Sequence, residues 1–247
     1  MIEAVTFVPP GHRSRDSAHG HGERGTTLGQ HGDRVRNALL DAAEELYATD
    51  GIDAVSNRRI AEHSGNANHS AVSYHFGGRD ELVRALLDRH TEYARARRAE
   101  LVAELGDDAP ITGLLACLIL PFTDLLAARP APSWRARFLQ QLRTVPSVAA
   151  SVAESVTADP LTDHLIHRIR AHFSAVPEPI FNGRSWMLGR TVIDACAEYE
   201  SRVQVEPTPA DWTGLGYFLI DACAGMLGAP VTHPGDFLGE SKVTYLL

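Results

Sequence analysis

Residues 56–78 run Ser56-Asn57-Arg58-Arg59-Ile60-Ala61-Glu62-His63-Ser64-Gly65-Asn66-Ala67-Asn68-His69-Ser70-Ala71-Val72-Ser73-Tyr74-His75-Phe76-Gly77-Gly78. Ser56 is a good N-cap, because its hydroxyl accepts from an amide that a first helical turn leaves unpaired. It announces a short helix that stops near Gly65. Asn66-Ala67-Asn68 supplies turn chemistry and a second cap, after which Val72 and Phe76 stand four residues apart on one helical face. Gly77-Gly78 end that second helix. A small residue, Ala61, lets the two helices cross closely, and Gly65 takes the tight corner. Val72 and Phe76 anchor the second helix and leave its other face free for a major groove, which is the helix-turn-helix pattern.

Upstream, Leu39, Ala43, Leu46 and Tyr47 fall on one face of a helix that runs from about Val35 to Asp50-Gly51. Downstream, Arg79-Asp80-Glu81 open a helix through Leu82, Leu86 and Leu87 that continues, Arg-rich, to about Glu104. With these neighbours, residues 35–87 resemble the DNA-binding domain of the TetR family of transcriptional regulators. The resemblance is carried by Ala42-Ala43-Glu44-Glu45-Leu46-Tyr47, Gly51-Ile52, Ser56, Ile60-Ala61, Ser64-Gly65, Tyr74-His75-Phe76 and Arg79-Asp80-Glu81-Leu82. It implies a homodimer whose larger C-terminal helical domain binds a small molecule and thereby moves two DNA-reading heads apart.

Two departures stand out. Between Gly65 and Tyr74 the sequence holds one residue more than the commonest family spacing, which resembles a longer-turn subgroup, and Ser73 stands where many members have tyrosine. Carried over by position, Ser73, Tyr74 and His75 lie on the exposed side of the recognition helix, and Asn68, His69 and Ser70 open it. Hydroxyl, amide and imidazole groups there suit phosphate oxygens and base edges. Arg79 matches the family's basic phosphate contact; Arg58, Arg59, Arg34 and Arg36 are further candidates. Ile60, Ala61, Val72 and Phe76 are expected in the core.

The whole chain, 247 residues with 23 basic and 31 acidic side chains, has a formal charge of −8, which by itself argues against nucleic acid. Even between Arg34 and Asp80 five arginines face seven acids. Most of those acids fall on the first helix, away from the recognition face. Binding would therefore rest on a local basic surface, with modest nonspecific affinity and a shallow salt dependence.

Residues 1–33 are rich in Gly, His, Arg and Ser and are expected to be disordered; His12, His19, His21 and His31 are too loosely spaced for a metal shell. Residues 34–80 then form the reading head and 81–247 a helical ligand-binding and dimerisation domain. Beyond the head, helices are expected over about 111–128, 133–144, 147–157, 160–174, 183–203 and 210–227, punctuated by proline, with no period-2 stretch, so the fold class is all-α. No apolar run approaches the length a membrane span needs, and nothing at the N-terminus reads as a secretory signal, so a cytoplasmic protein is expected. Cys117, Cys196 and Cys223 are far apart in apolar stretches, as buried hydrophobes rather than a disulfide set.

Leu215, Phe218, Leu219, Ala222, Cys223 and Met226 make the clearest amphipathic stripe. With Trp186, Gly189, Ile193 and Cys196 on the preceding helix, it would form the family's four-helix dimer interface. Phe122, Trp134, Phe138, Gln141, His167 and Trp186 combine apolar walls with polar handles and are the candidate effector pocket. His164 and His167 are helical neighbours without a third ligand, so no metal or cofactor is assigned. The function read from these residues is a DNA-binding regulator, a repressor that an effector releases from a palindromic double-stranded operator. The alternatives are an all-α enzyme using His164, Asp163 or Cys117, and an adaptor whose helix-turn-helix serves protein contact. No nucleophile–base–orienter set stands at a telling spacing and no phosphate-cradling glycine loop is present.

Overall fold

The computed structural model describes residues 23–235 apart from 90, 130–131, 144–158 and 206–208. Every regular element among the described residues is a helix: α1 Glu23–Asp50, α2 Asn57–His63, α3 Ala71–Phe76, α4 Arg79–Asp88, α5 Thr91–Ala103, α6 Ile111–Ala127, α7 Arg135–Leu142, α8 Pro160–His172, α9 Glu178–Val205 and α10 Trp212–Gly228. No helix among them is long and apolar enough to cross a membrane. The helix expected over 147–157 lies outside the described residues.

Two hydrophobic cores divide the chain. The first joins Leu39, Ala43, Leu46 and Tyr47 of α1 to Ile60 and Ala61 of α2, Val72 and Phe76 of α3, and Leu82, Val83 and Leu86 of α4. All four positions read as the apolar face of α1 are buried in it. Phe138 and Leu142 of α7 complete this core, so it reaches past the boundary expected at residue 80. The second core is built on α6, with Leu114, Leu115, Leu118 and Ile119 against Leu165 and Ile169 of α8, Val192 and Cys196 of α9, and Leu219, Ile220 and Cys223 of α10. Helix α10 lies so close along α6 that a Cβ on Gly216 would come within 2.8 Å of Thr123 Oγ1 and 2.9 Å of Leu120 Cδ2.

Three expectations change. Helix α1 starts at Glu23 instead of near Val35, so residues 23–33, expected as disordered chain, continue the helix. Extending an existing helix adds one bond per ordered residue and avoids the unfavourable nucleation step, which lets weak formers such as Thr26 and Thr27 follow. The single long helix expected from Arg79 is two, α4 and α5. The helix expected from 183 starts earlier, at Glu178.

Candidate nucleic-acid interface

The turn between α2 and α3 is shaped by short-range hydrogen bonds. Ser56 Oγ accepts from the Arg59 amide at 3.2 Å and starts α2. At its far end Gly65 takes φ 75°, the Gly65 amide donates to Glu62 O at 3.1 Å and the Asn66 amide to Ala61 O at 2.9 Å, the paired closure of a Schellman motif. Asn66 Oδ1 then accepts from the Asn68 amide at 2.9 Å, and Asn68 Oδ1 from the Ser70 amide at 3.0 Å. Two successive side-chain turns thus carry the chain into α3.

Helix α3 sinks Ala71, Val72 and Phe76 into the head and turns Ser73 and Tyr74 outward, the tyrosine 81% exposed. His75 is partly exposed and meets the Tyr74 ring edge-on, centroids 5.0 Å apart. Asn68, His69 and Ser70 are exposed at the opening of α3. The structure therefore brings Asn68, His69, Ser70, Ser73, Tyr74 and His75 to one short segment, with the side-chain carbonyl of Asn68 engaged in the turn. Gly77, at φ 86°, ends the helix.

The arginines behave differently. Arg58 Nε donates to Glu62 Oε1 at 2.8 Å, and Arg59 pairs with Asp50 at 2.6 Å; both side chains are more than half exposed. The bond from Arg58 holds the Glu62 carboxyl below its ordinary range, helped by the charge of His69, whose Nδ1 is 3.6 Å away. Arg79 differs most from expectation. Its guanidinium donates to Ile52 O, and to Val55 O at 2.9 Å, and lies 3.7 Å from Asp53. It staples the α1–α2 loop to the start of α4 instead of projecting toward a phosphate. With Asp53, Ala54, Val55, Ser56 and Asn57 it lines an open groove of about 400 Å³. Arg36 lies over the Phe76 ring, 4.5 Å from its centroid.

The candidate interface stripe splits between core and surface. Ile193, Cys196 and Leu219 are buried inside the chain, Leu215 and Met226 are half-buried, and Phe218 and Ala222 are exposed. Trp186, Met187 and Tyr217, the last two not among the expected interface residues, add exposed apolar surface on α9 and α10. The stripe was broad, and one edge of it belongs to α6.

The six candidate effector residues are not brought together. Phe138 is buried and stacks on Tyr47 at 6.1 Å, while Trp134 packs on the same head core and holds Arg137 at 4.3 Å from its ring centroid. A Cβ on Gly51 would meet Gln141 Oε1 at 3.7 Å, which places Gln141 at the head as well. Phe122 belongs to the second core, His167 is exposed with Nδ1 2.9 Å from Asp163 O, and Trp186 is exposed under Arg190. Periodicity alone did not reveal that α7 packs on the head. Among the described residues no three His, Cys, Asp or Glu side chains gather as a metal site.

Residues 39–86, which hold the whole turn and both short helices, match the model of the bacterial regulatory proteins of the tetR family. Over this segment the chain is similar to the TetR family. It is 40% identical over 78 residues to an HTH-type transcriptional regulator of Mycobacterium bovis and, to the same extent, to an HTH-type transcriptional repressor of Mycobacterium tuberculosis. These alignments span 31% of this chain and 41% of each relative. A crystal structure of a TetR-family regulator from Streptomyces coelicolor A3 aligns over 79% of this chain and 95% of that one, at 20% identity and a TM-score of 0.35. That superposition is too loose to add to the argument.

Proposed function

We propose that the protein is a TetR-family transcriptional regulator that binds a palindromic double-stranded DNA operator as a homodimer, acts as a repressor, and is released by a small-molecule effector. One observation carries the reading: Tyr74, 81% exposed, stands on a helix whose other face is locked into the head by Val72 and Phe76. A large side chain left in water on a rigid short helix beside Ser73 and His75 suits the edges of base pairs. The M. tuberculosis relative named a repressor supports that mode of action.

For dimerisation, Trp186, Met187, Tyr217, Phe218 and Ala222 offer an apolar surface on α9 and α10 that a second copy would cover. An effector site in the C-terminal domain is part of this reading and rests on the family resemblance alone. On this reading the protein is a binding protein and not an enzyme.

The test is selection of duplexes from a random-sequence pool by the full chain, followed by gel retardation. Tyr74→Ala or His75→Ala should weaken binding to the selected duplex about tenfold or more with unchanged helicity, since each removes contacts made outside the core. A wild-type chain that enriches no sequence, or variants that bind unchanged, would defeat the reading.

A further inference from the structure

Helix α7 has no cap of its own: Trp134, at its N-cap position, makes no side-chain cap bond. Glu200 of α9 supplies it from 64 residues away. Its buried carboxylate accepts from the Ala136 amide at 3.2 Å, the Arg137 amide at 3.1 Å, Arg137 Nε at 3.3 Å and Ser133 Oγ at 2.8 Å. At the other end of α7, Asp194 of the same α9 accepts from Gln140 Nε2 at 2.9 Å and from Arg143 at 2.9 and 3.2 Å. Two carboxylates on one helix thus fasten α7 at both ends.

The opposite side of α7 reaches into the reading head. Arg135 donates to Leu86 O at 2.7 Å and Leu87 O at 3.4 Å, two carbonyls in the last turn of α4. Its Nη1 also lies 3.5 Å from Glu44 Oε1 on α1, and Arg129, just after α6, donates to Glu44 Oε2 at 2.7 Å. Glu44, Arg135 and Glu200 are all buried, at 1%, 5% and 1% exposure. Burial pulls the Arg135 guanidinium below its usual range and the Glu44 charge acts against that. A buried ion left without its partner is strongly penalised, so the loss of either carboxylate is felt by the groups it faces.

We propose that Glu200 and Glu44 are positioning residues for DNA binding: through α7 they fix the reading head to α9 and so set where a head stands relative to its dimer partner. The proposal rests on the dimeric DNA-binding reading above. Helix α9 also carries Trp186 and Met187 of the surface assigned to the second copy, so a line of contacts runs from that surface through Glu200, α7 and Arg135 to α1 and α4. Two heads held at a fixed spacing engage two half-sites at once, and slack in the line removes that advantage without altering either head's own contacts.

The test uses the full chain. In Glu200→Gln, amide hydrogen exchange should quicken in α7 and also in the last turn of α4 and the middle of α1, with α6 and α10 unchanged. Glu44→Gln, which cuts the line one step later, should loosen the same head amides and leave α7 protected. With the duplex selected by the wild type, both variants should lose about tenfold in affinity for the two-half-site duplex and keep their affinity for the same duplex with one half-site scrambled. Exchange confined to α7 in Glu200→Gln, or equal losses on both duplexes, overturns the proposal. If Glu200→Gln does not fold, Glu200→Asp, which keeps the charge on a shorter stem, is read against the same outcomes. A wild-type chain that selects no duplex sinks the DNA-binding reading, and the exchange pattern then decides the linkage alone.

Discussion

The reading head and the C-terminal domain are both helical, yet they use their polar groups differently. The bonds that shape the reading turn join residues two to five apart: Ser56 to Arg59, Asn66 to Ala61, Asn66 to Asn68, Asn68 to Ser70, Arg58 to Glu62. The bonds that place α7 join residues far apart in the chain: Asp194 to Arg143, Glu200 to Ala136, Arg135 to Leu86. The head builds its functional surface by local rules, whereas the rest of the chain builds its geometry through contacts that exist only once the fold is made.

The sharpest way to probe that difference is a pair of adjacent substitutions on α10. Leu219 is 1% exposed and Phe218 64% exposed. Leu219→Glu forces a carboxylate into the core against α6, and should cost about 4 kcal/mol, read as a collapse of thermal stability. Phe218→Glu should leave the fold and melting temperature nearly unchanged and give monomers in sedimentation. If both variants merely unfold, or if Phe218→Glu stays dimeric, the surface proposed for the second copy is misassigned.

In the head the corresponding probe is Gly65→Ala. Nothing lies within 4 Å of the Cβ it would add, so its whole effect is the left-handed φ of 75°. A loss of about 1–2 kcal/mol in denaturant unfolding is expected, and a loss far above that range would mean the corner is held by more than its own backbone. The smallest effect is expected from thiol chemistry. Burial pushes the Cys196 thiol up to about 12 and the Cys223 thiol up to about 11, and raises that of Cys117. All three should resist iodoacetamide in the native protein at neutral pH and react once it is unfolded, as counted by mass spectrometry; rapid native labelling would show that the C-terminal interior opens.

These contrasts explain what the sequence could reveal. Ser56, Gly65, Asn66, Asn68, Val72 and Phe76 act through their neighbours, so spacing alone exposed the helix-turn-helix and the outward face of α3. Leu219 and Phe218 look alike in a periodic pattern, because an amphipathic stripe marks apolar residues without saying whether the same chain or another copy covers them. Trp134, Phe138 and Gln141 were read as pocket lining for a similar reason: nothing near α7 in the sequence announces that α1 and α4 cover it. Arg79 shows a subtler gap. Its place at the start of α4 suits a phosphate contact, but the loop carbonyls of Ile52 and Val55 are within its reach and leave its charge turned inward.

The inward turn of Arg79, together with the pairing of Arg58 to Glu62 and Arg59 to Asp50, leaves these three cations already answered before any duplex arrives. If the head binds DNA as proposed, each must first give up a protein partner to grip a backbone oxygen, so an arbitrary stretch of duplex offers little net gain. Such a head would linger only where neighbouring bases reward the exchange, and the number of true operators, rather than the total length of genome, would govern how many copies stand unbound.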